Sequence, residues 1–465
     1  MKKKVVMLLF VISVQIFAQK IFMDKPKIDE RIELLSIVFR LAESEEYSTT
    51  FFKSYTDAIH QHFEPYKKHE LIEFVKKIRE KNGIGFDAVM KMAIYIDKDL
   101  KPLVKFNDII PEERWGKENA ENFLSLLQKF YIDAKCKVFF ENNEPLYVNI
   151  KEKFLPIYEK LDLGWYHTFY GKEPKEKFTI VIGAGNGGGN YGPSINYANG
   201  EKEVYAIMGV WKTDSSGMAE FNLNEYFPTL LHEFNHSFVN YLLEKYKHTL
   251  KNSGEKIFDA VKNEMLNQAY TNWEIMFNEA LVRASVIKYM KDQHFSQSEI
   301  DTEIGEQLRR GFLWINELVL ELENYDKQRT IYPTLESYMP KLVDAYKTYT
   351  TNIDNYTNEY DKKRPKVISI NEFKNGDINV DARIKKITIN FDRPLFGKGS
   401  SISEGEKGEE AFPKFGKIKY SEDKNSLILE VELHSNKEYQ FTLTGRSFKS
   451  QEKISIKDYL IEFKT

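Results

Sequence analysis

The sequence has a single cysteine, Cys136, and this scarcity excludes an internal disulfide framework and a cysteine-rich zinc finger. It also lacks an excess of charge of either sign, since 67 Lys and Arg residues stand against 70 Asp and Glu residues in a chain of 465. Without a basic excess we expect no nucleic-acid partner. After the first 18 residues no apolar run is long enough to cross a bilayer, so we expect no stable membrane span in the mature protein.

The first residues follow the order of a secretory signal peptide. Three lysines at Lys2–Lys4 precede a largely apolar run, Val5–Ala18, and a cleavage site fits before Gln19. A transmembrane anchor is the alternative, but the run is shorter than the roughly 20 apolar residues that a span needs. We therefore expect residues 1–18 to be removed and the mature protein to be secreted or periplasmic.

Helical periodicity dominates the chain before about residue 350. Apolar residues recur at three- and four-residue steps in Asp29–Lys81, and Asn82 followed by glycine marks the end of that stretch. Helical segments dominate again from about Glu225 to Tyr346. Between these regions, Phe178–Ile182 and Val204–Met208 are compact apolar runs that predict strands. The pattern indicates a mostly helical domain with a small sheet.

The sequence period changes near Asp361–Pro365 from that of helices to that of strands. Apolar and polar residues alternate in Ile387–Phe391, Leu427–Leu433 and Tyr439–Leu443, and turn signals separate these runs. About 100 residues of short strands are typical of a β-sandwich. The tail resembles bacterial Ig-like domains of the surface-layer type, which often end in Phe-x-Thr, as Phe463–Thr465 does here.

These patterns together predict an α+β protein with three parts. Residues 1–18 form the signal peptide, residues 19–362 a mostly helical domain with a small sheet, and residues 365–465 an all-β sandwich. Within the middle part, a helical N-terminal region covers about 25–140 and the core about 141–350.

A candidate metal site lies in Leu231–Ser237, where His232, Glu233 and His236 form the pattern H-E-x-x-H. Residues four apart on a helix lie one above the other, so the two imidazoles can bind one metal ion. Glu233 projects near the same rim and can accept a proton from a water molecule without being a ligand. We therefore expect a zinc site here, with Glu233 as the catalytic residue.

The segment around this motif is predicted to be a buried helix. Apolar residues between Phe227 and Leu242 form a stripe at 3.6-residue spacing, with Asn224 as the N-cap and Pro228 in the first turn. Buried imidazoles and a buried carboxylate are costly without partners, and a zinc ion is such a partner. Coincidence is the alternative, and a chain of this composition would contain the pattern by chance about once in fifty cases.

A catalytic zinc usually has three protein ligands, so one more ligand must come from elsewhere in the chain. Glu255 lies 19 residues after His236, but in a polar segment that predicts a turn. Glu279 lies 43 residues after His236 in a packed helix, where Arg283 could orient its carboxylate. This context favours Glu279, with Glu255 as the alternative and Glu274 as a weaker one. A surface ion pair between Glu279 and Arg283 would instead be structural.

H-E-x-x-H followed by a helix with Asn278 and Glu279 resembles the gluzincins, zinc peptidases with two His ligands and one Glu ligand. The helical N-terminal region and the pattern Asn-Glu-Ala-x-x-Arg, which ends at Arg283, also look like an uncharacterised family of secreted bacterial peptidase-like proteins. The resemblance implies a zincin-like catalytic domain, with the two motif histidines and Glu279 as ligands and Glu233 as the general base. The 43-residue spacing departs from the best-known gluzincin spacings.

The expected activity is hydrolysis of a peptide or protein substrate by a zinc-activated water, with Glu233 as the general base. A further donor should stabilise the developing oxyanion, and Tyr332, in a loop between two predicted helices, is one candidate among 27 tyrosines, with a surface or packing role as the alternative. Two alternatives are a non-catalytic binding or adhesion protein on a peptidase-like scaffold and a zinc hydrolase acting on another amide. The intact Glu233 argues against the first.

The segment after the first predicted strand contains G-x-G-x-x-G between Gly183 and Gly188. In a dinucleotide site such glycines lead directly into a helix, whereas Gly192 and Pro193 oppose a helix here. We therefore expect no nucleotide cofactor and interpret the segment as a turn into the second strand. By the zincin resemblance that strand, Val204–Val210, would pair with an extended substrate, and an ordinary hairpin is the alternative.

Overall fold

The computed structural model describes residues 23–172 and 176–465, so the predicted signal peptide at residues 1–18 lies outside the described residues. Over the described residues the chain is α+β, as predicted, and no helix there is both long enough and apolar enough to span a bilayer. The helices of this part are α1 (Glu30–Leu41), α2 (Lys53–Phe63), α3 (Glu70–Asn82), α4 (Asp87–Ile94), α5 (Gly116–Asp133), α6 (Cys136–Glu159), α7 (Leu163–Tyr170), α8 (Leu223–Glu244), α9 (Lys247–Ala260), α10 (Lys262–Leu266), α11 (Trp273–Asp292), α12 (Gln297–Arg309), α13 (Ile315–Lys327) and α14 (Leu335–Lys363). Its strands are β1 (Lys177–Gly183), β2 (Ser194–Asn196), β3 (Lys202–Gly209), β4 (Val367–Ile370), β5 (Lys386–Phe391), β6 (Ile402–Glu404), β7 (Lys414–Tyr420), β8 (Ser426–Glu432), β9 (Glu438–Leu443) and β10 (Tyr459–Lys464).

The N-terminal helices confirm the prediction made from periodicity. α1 begins after Asp29, whose side chain accepts a hydrogen bond from the backbone N–H of Arg31 and so caps the helix. α3 ends at Asn82, because Gly83 adopts the left-handed conformation (φ +68°) that closes a helix. Most of α1 is buried, which makes it a central element of this helical region.

A three-stranded sheet with the order β1-β3-β2 accompanies these helices. β1 and β3 are parallel and confirm the strands predicted at Phe178–Ile182 and Val204–Met208, whereas β2 is antiparallel to β3. The hairpin alternative is wrong for β1 and β3, because parallel strands cannot be joined by a tight turn. The expectation that Val204–Val210 pairs with a substrate is also wrong, because β3 already has a strand on each side. In this order of strands, β2 lies at an edge of the sheet.

α8 carries the H-E-x-x-H pattern and packs against β3. The helix begins directly after Asn222, whose side-chain oxygen accepts a hydrogen bond from the backbone N–H of Asn224. The N-cap is therefore Asn222 and not the predicted Asn224. Because the helix starts earlier than expected, Pro228 lies in its second turn and not in its first.

The described chain divides into two compact units. The first contains the described residues up to Thr249 together with Phe277–Glu299 and Val319–Val343, and the second contains Leu250–Met276, Ile300–Leu318 and Asp344–Thr465. The change from helix to strand falls where the sequence predicts it, since α14 ends at Lys363 and β4 begins at Val367. The assignment of residues 19–362 to one catalytic domain stays a prediction.

Two antiparallel sheets lie in the C-terminal part of the second unit, with the orders β4-β5-β8-β7 and β10-β9-β6. β5, β8 and β9 coincide with the three alternating runs and confirm them as strands. The two sheets share one hydrophobic core, in which the ring centroid of Phe415 on β7 lies 5.2 Å from that of Phe441 on β9. The assignment of this two-sheet domain to the Ig-like class stays a prediction.

Candidate metal centre

Two helices bring together the three predicted metal ligands, all of which belong to the first unit. α8 supplies His232 and His236, and α11 supplies Glu279. The Nε2 atoms of the two histidines lie 3.1 Å apart, and each lies 3.5 Å from a carboxylate oxygen of Glu279. The three residues can each offer a ligand atom within 4.8 Å of the other two. Among the described residues, these three side chains lie close enough together to hold one metal ion.

The spacing of these atoms fits a zinc ion. Zinc bonds of about 2.0–2.1 Å in tetrahedral geometry place neighbouring ligand atoms roughly 3.3 Å apart. The two Nε2 atoms lie 3.1 Å apart, and each lies 3.5 Å from its own nearer carboxylate oxygen, Oε2 of Glu279 for His232 and Oε1 for His236, so these distances lie close to that value. Two imidazole nitrogens and one carboxylate oxygen are also a known donor set of catalytic zinc. The residues present therefore fit the metal that the sequence predicts.

Asn235 fixes α8 against its neighbours. Its side chain is completely buried. The hydroxyl of Tyr170 on α7 donates a 2.9 Å hydrogen bond to Oδ1 of Asn235, and Nδ2 of Asn235 donates to the carbonyl oxygen of Val282 on α11 at 3.4 Å. Asn235 thereby connects the helix that carries two ligands to the helix that carries the third.

Asn240, one turn further along α8, orients the imidazole of His236. Nδ1 of His236 lies 3.1 Å from Oδ1 of Asn240. Because an amide oxygen can only accept, the hydrogen of His236 lies on Nδ1. Nε2 then directs its lone pair toward His232 and Glu279, which is the tautomer that a metal ligand needs.

Arg283 orients the carboxylate of Glu279 from the next turn of α11. Its Nη2 donates a 2.9 Å hydrogen bond to Oε2 of Glu279. The two side chains are only 8% and 10% exposed, so the alternative of a surface ion pair is wrong. A buried carboxylate requires compensation of this kind, and the charge-assisted hydrogen bond also limits its rotation.

Glu233, the predicted catalytic residue, is buried next to these ligands. Burial, with a smaller contribution from the nearby carboxylate of Glu279, raises the pKa of its carboxyl to about 7, although His236 and Arg283 oppose this rise. The backbone at Gly192 passes directly beside the carboxylate, since a Cβ atom added there would lie 2.7 Å from Oε2 of Glu233. The side chain is therefore enclosed both by its own helix and by the segment that precedes β2.

The Gly-rich segment after β1 binds a carboxylate of the protein itself. The backbone N–H groups of Ala184 and Gly185 donate to the two carboxylate oxygens of Glu33 at 2.7 and 3.0 Å. Burial raises the pKa of Glu33 to about 7, although these two donors and the hydroxyl of Tyr55 lower it. An internal carboxylate thus uses N–H groups of the kind that would bind a phosphate in a nucleotide site.

The alternative acidic ligands have different surroundings. Glu255 is 52% exposed and lies 3.8 Å from the amine of Lys251 in α9, where the sequence had predicted a turn. The turn prediction is wrong because the segment packs as a helix: Gly254 has no side chain, so the ring of Trp273 can lie directly against it. Glu274 lies in the first turn of α11 and is not part of the three-residue group found among the described residues.

Tyr332 lies in the loop between α13 and α14, as predicted. Its ring centroid lies 5.0 Å from that of Tyr338, and its backbone N–H donates to the carbonyl oxygen of Gln328. These contacts give Tyr332 a packing role and provide no support for oxyanion stabilisation.

Four residues were not predicted from the sequence: Asn235, Asn240 and Gly192 at the site, and Glu33 at the Gly-rich segment after β1. The spacing could have identified Asn240, because it follows His236 by four residues and lies on the same helix face. The other three have no local signal. Their partners lie on other elements, and only the folded chain brings them together.

The fold and the site together define an α+β protein with a His-His-Glu centre on two packed helices. The chain belongs to the family described as "Domain of unknown function (DUF4932)", whose model matches residues 26–345. That range includes all three candidate ligands and Glu233. No curated protein matches the chain.

Among solved structures, the chain is similar to parts of the surface layer protein SbsC. A structure of its domains 1–6 is 14% identical with a TM-score of 0.17, and the match covers 54% of this chain and 38% of that one. A structure of the S-layer protein rSbsC(31-844) is 12% identical with a TM-score of 0.17, covering 85% of this chain and 46% of that one. The chain thus spans less than half of either structure, and TM-scores this low do not show a shared fold.

Proposed function

We propose that this protein is a secreted zinc metallopeptidase of gluzincin type that acts on a peptide or protein substrate. The observation that carries the proposal is the convergence of His232, His236 and Glu279, whose ligand atoms lie within 4.8 Å of one another. Glu233, an acid that is not one of these ligands, lies directly beside them on α8. Two histidines and an acid at zinc spacing, with a second acid next to them, are the parts that zinc-dependent hydrolysis requires.

His232 and His236 would hold Zn²⁺ through Nε2, and Glu279 would hold it through a carboxylate oxygen. A bound zinc ion supplies Lewis-acid chemistry, since it polarises a carbonyl group and lowers the pKa of a water molecule. Asn240 and Arg283 keep two of the three ligands in the orientation that binding needs.

Glu233 performs the proton transfers in this proposal. It accepts a proton from the attacking water and returns it to the leaving amine of the cleaved peptide bond. Its place directly after His232 on α8 keeps the carboxylate at the rim of the ligand group, and its burial keeps bulk water away from the transferred proton.

The edge of the small sheet supports a peptide as the substrate. Tyr191 exchanges backbone hydrogen bonds with Ile207, and the carbonyl oxygen of Pro193 accepts from the N–H of Tyr205. Successive residues of an antiparallel strand direct their backbone groups to opposite sides. The N–H and C=O groups of Gly192 and Ser194 therefore face away from β3. An extended peptide could pair with them by strand addition, next to Glu233.

In this proposal the centre belongs to a zincin-like domain, and the two-sheet domain near the C-terminus is an Ig-like module that acts as a spacer or contact surface. Export is supported by the pattern of residues 1–18. Deletion of the two-sheet domain would then leave the zinc content unchanged.

The test combines metal analysis with the variant Glu233→Gln. We expect about one zinc per chain in the wild type and in the variant, with hydrolysis of a generic protein substrate lost only in the variant. Glu244→Gln is the matched control, because Glu244 lies exposed at the end of the same helix. Zinc binding without cleavage of any peptide library would favour a binding protein. Cleavage confined to cell-wall amides would favour a different hydrolase.

A further inference from the structure

Gly192 lies so close to Glu233 that any larger residue would require the carboxylate at the end of that side chain to shift. A Cβ atom added at Gly192 would lie 2.7 Å from Oε2 of Glu233 and 3.1 Å from its backbone carbonyl oxygen. The first distance is one that real Cβ atoms essentially never show, and the second is tighter than nine in ten real contacts. The reason for glycine at this position is therefore the lack of space.

The chain cannot readily move away to make that space. On one side of Gly192, Tyr191 exchanges two backbone hydrogen bonds with Ile207, at 3.0 and 2.9 Å. On the other side, the carbonyl oxygen of Pro193 accepts a 2.9 Å hydrogen bond from Tyr205. Both partners belong to β3, which also pairs with β1 from Glu203 to Gly209.

The backbone of Glu233 cannot readily move either, so only its carboxylate can give way. Glu233 lies in the middle of α8, so its backbone is fixed by the helix, and the neighbouring Asn235 ties that helix to α7 and α11. Two fixed backbones thus meet at Gly192 and Glu233, and the carboxylate side chain fills the space between them.

We propose that Gly192 is a positioning residue of the metal centre: its lack of a side chain lets the backbone before β2 form a wall against the carboxylate of Glu233. This inference rests on the proposed function. This backbone wall would hold the carboxylate toward the three ligands. A substrate could then reach the carboxylate only from a side that the wall does not cover. A bulkier residue would displace the carboxylate from the reacting water, and a displacement of about 1 Å can lower a rate about a hundredfold.

The kinetic test is Gly192→Ala, with Gly305→Ala as the matched control. An added Cβ at Gly305 would approach only the flexible end of Arg309, at 3.4 Å. We expect Gly192→Ala to keep one zinc per chain but to lower kcat at least about tenfold with a smaller change in KM, since the carboxylate and not the ligand set is displaced. Gly305→Ala should match the wild type.

A second measurement uses stability of the zinc-free protein and needs no activity. We expect Gly192→Ala to lower Tm by several degrees in the wild type and by clearly less in a Glu233→Ala background, where the crowded carboxylate is gone. A Gly192→Ala protein that folds only in that background would also support the contact. Equal losses in both backgrounds, or failure to fold in both, would overturn it.

The two proposals fail in different ways. A wild type that binds zinc and cleaves peptides, together with a Gly192→Ala variant of unchanged kcat, overturns only the role of Gly192. A wild type without zinc or hydrolysis overturns the proposed function, and with it any catalytic role for Gly192.

Discussion

Nε2 of His232 and Nε2 of His236 lie 3.1 Å apart, because the two residues occupy successive turns of α8. The carboxylate of Glu279 completes the group, with Oε2 at 3.5 Å from Nε2 of His232 and Oε1 at 3.5 Å from Nε2 of His236, although Glu279 lies on another helix. The relationship between α8 and α11 therefore decides whether the histidines form a site with three ligands or with two.

Removal of Glu279 should abolish tight zinc binding. In Glu279→Gln the carboxylate that completes the ligand set is replaced by a neutral amide, a much weaker zinc ligand. We expect less than one zinc per chain after dialysis, measured by elemental analysis. Glu255→Gln is the control, because Glu255 is an exposed acid on α9, and it should keep its zinc. Zinc loss in the control alone would show that the third ligand is wrongly assigned.

Asn240 should affect zinc affinity without affecting folding. Asn240→Ala removes the hydrogen-bond acceptor that orients His236, and outer partners of this kind contribute about 10- to 100-fold to metal affinity. Asn240→Asp should keep the affinity or raise it, since a carboxylate is a stronger acceptor. Competition with a chromogenic chelator measures the change, with exposed Asn224→Ala on the same helix as the control. Equal affinities in the wild type and Asn240→Ala would contradict the role of this contact.

The buried Asn235 should stabilise the fold and the site together. Asn235→Ala leaves the hydroxyl of Tyr170 and the carbonyl of Val282 without this partner, so we expect a loss of about 2 kcal/mol in the free energy of unfolding. Tyr170→Phe removes only one of the two hydrogen bonds and should have a smaller effect. Urea denaturation of both single variants and of the double variant gives the coupling energy. Additive losses would mean that Asn235 and Tyr170 do not act through their hydrogen bond.

Glu33 should make stability depend on pH. Its pKa is raised by burial to about 7 from an ordinary 4.5, so between these values the folded state holds a proton that the unfolded state has released. The contribution of Glu33 to stability is therefore fully present below pH 4.5 and is lost as the pH rises to about 7, by on the order of 3 kcal/mol.

The measurement is the free energy of unfolding between pH 5 and pH 8 for the wild type and Glu33→Gln. The variant should lose this part of the pH dependence, whereas Glu73→Gln, an exposed acid on α3, should keep it. Parallel pH profiles for the wild type and Glu33→Gln would show that Glu33 is ionised throughout this range.

Features that depend on local spacing were correctly predicted from the sequence. The turn of a helix alone brings His232 and His236 together, and the period of two alone predicts β5, β8 and β9. Where several local signals competed, the prediction failed. Asn222 and Asn224 are both suitable caps, and the polar composition around Glu255 concealed a helix in which Gly254 permits close packing against Trp273.

The sequence by itself determined the pairing of the two histidines, the acid next to them and the change from helices to strands. Each of these features depends only on residues that are close together in the chain. Only the tertiary structure decided that Glu279 and not Glu255 joins the histidines, that β3 is an inner strand, and that Gly192 lies against Glu233. These relationships depend on contacts between segments far apart in the chain, and such contacts are set by how helices and strands pack and leave no periodic trace in the sequence.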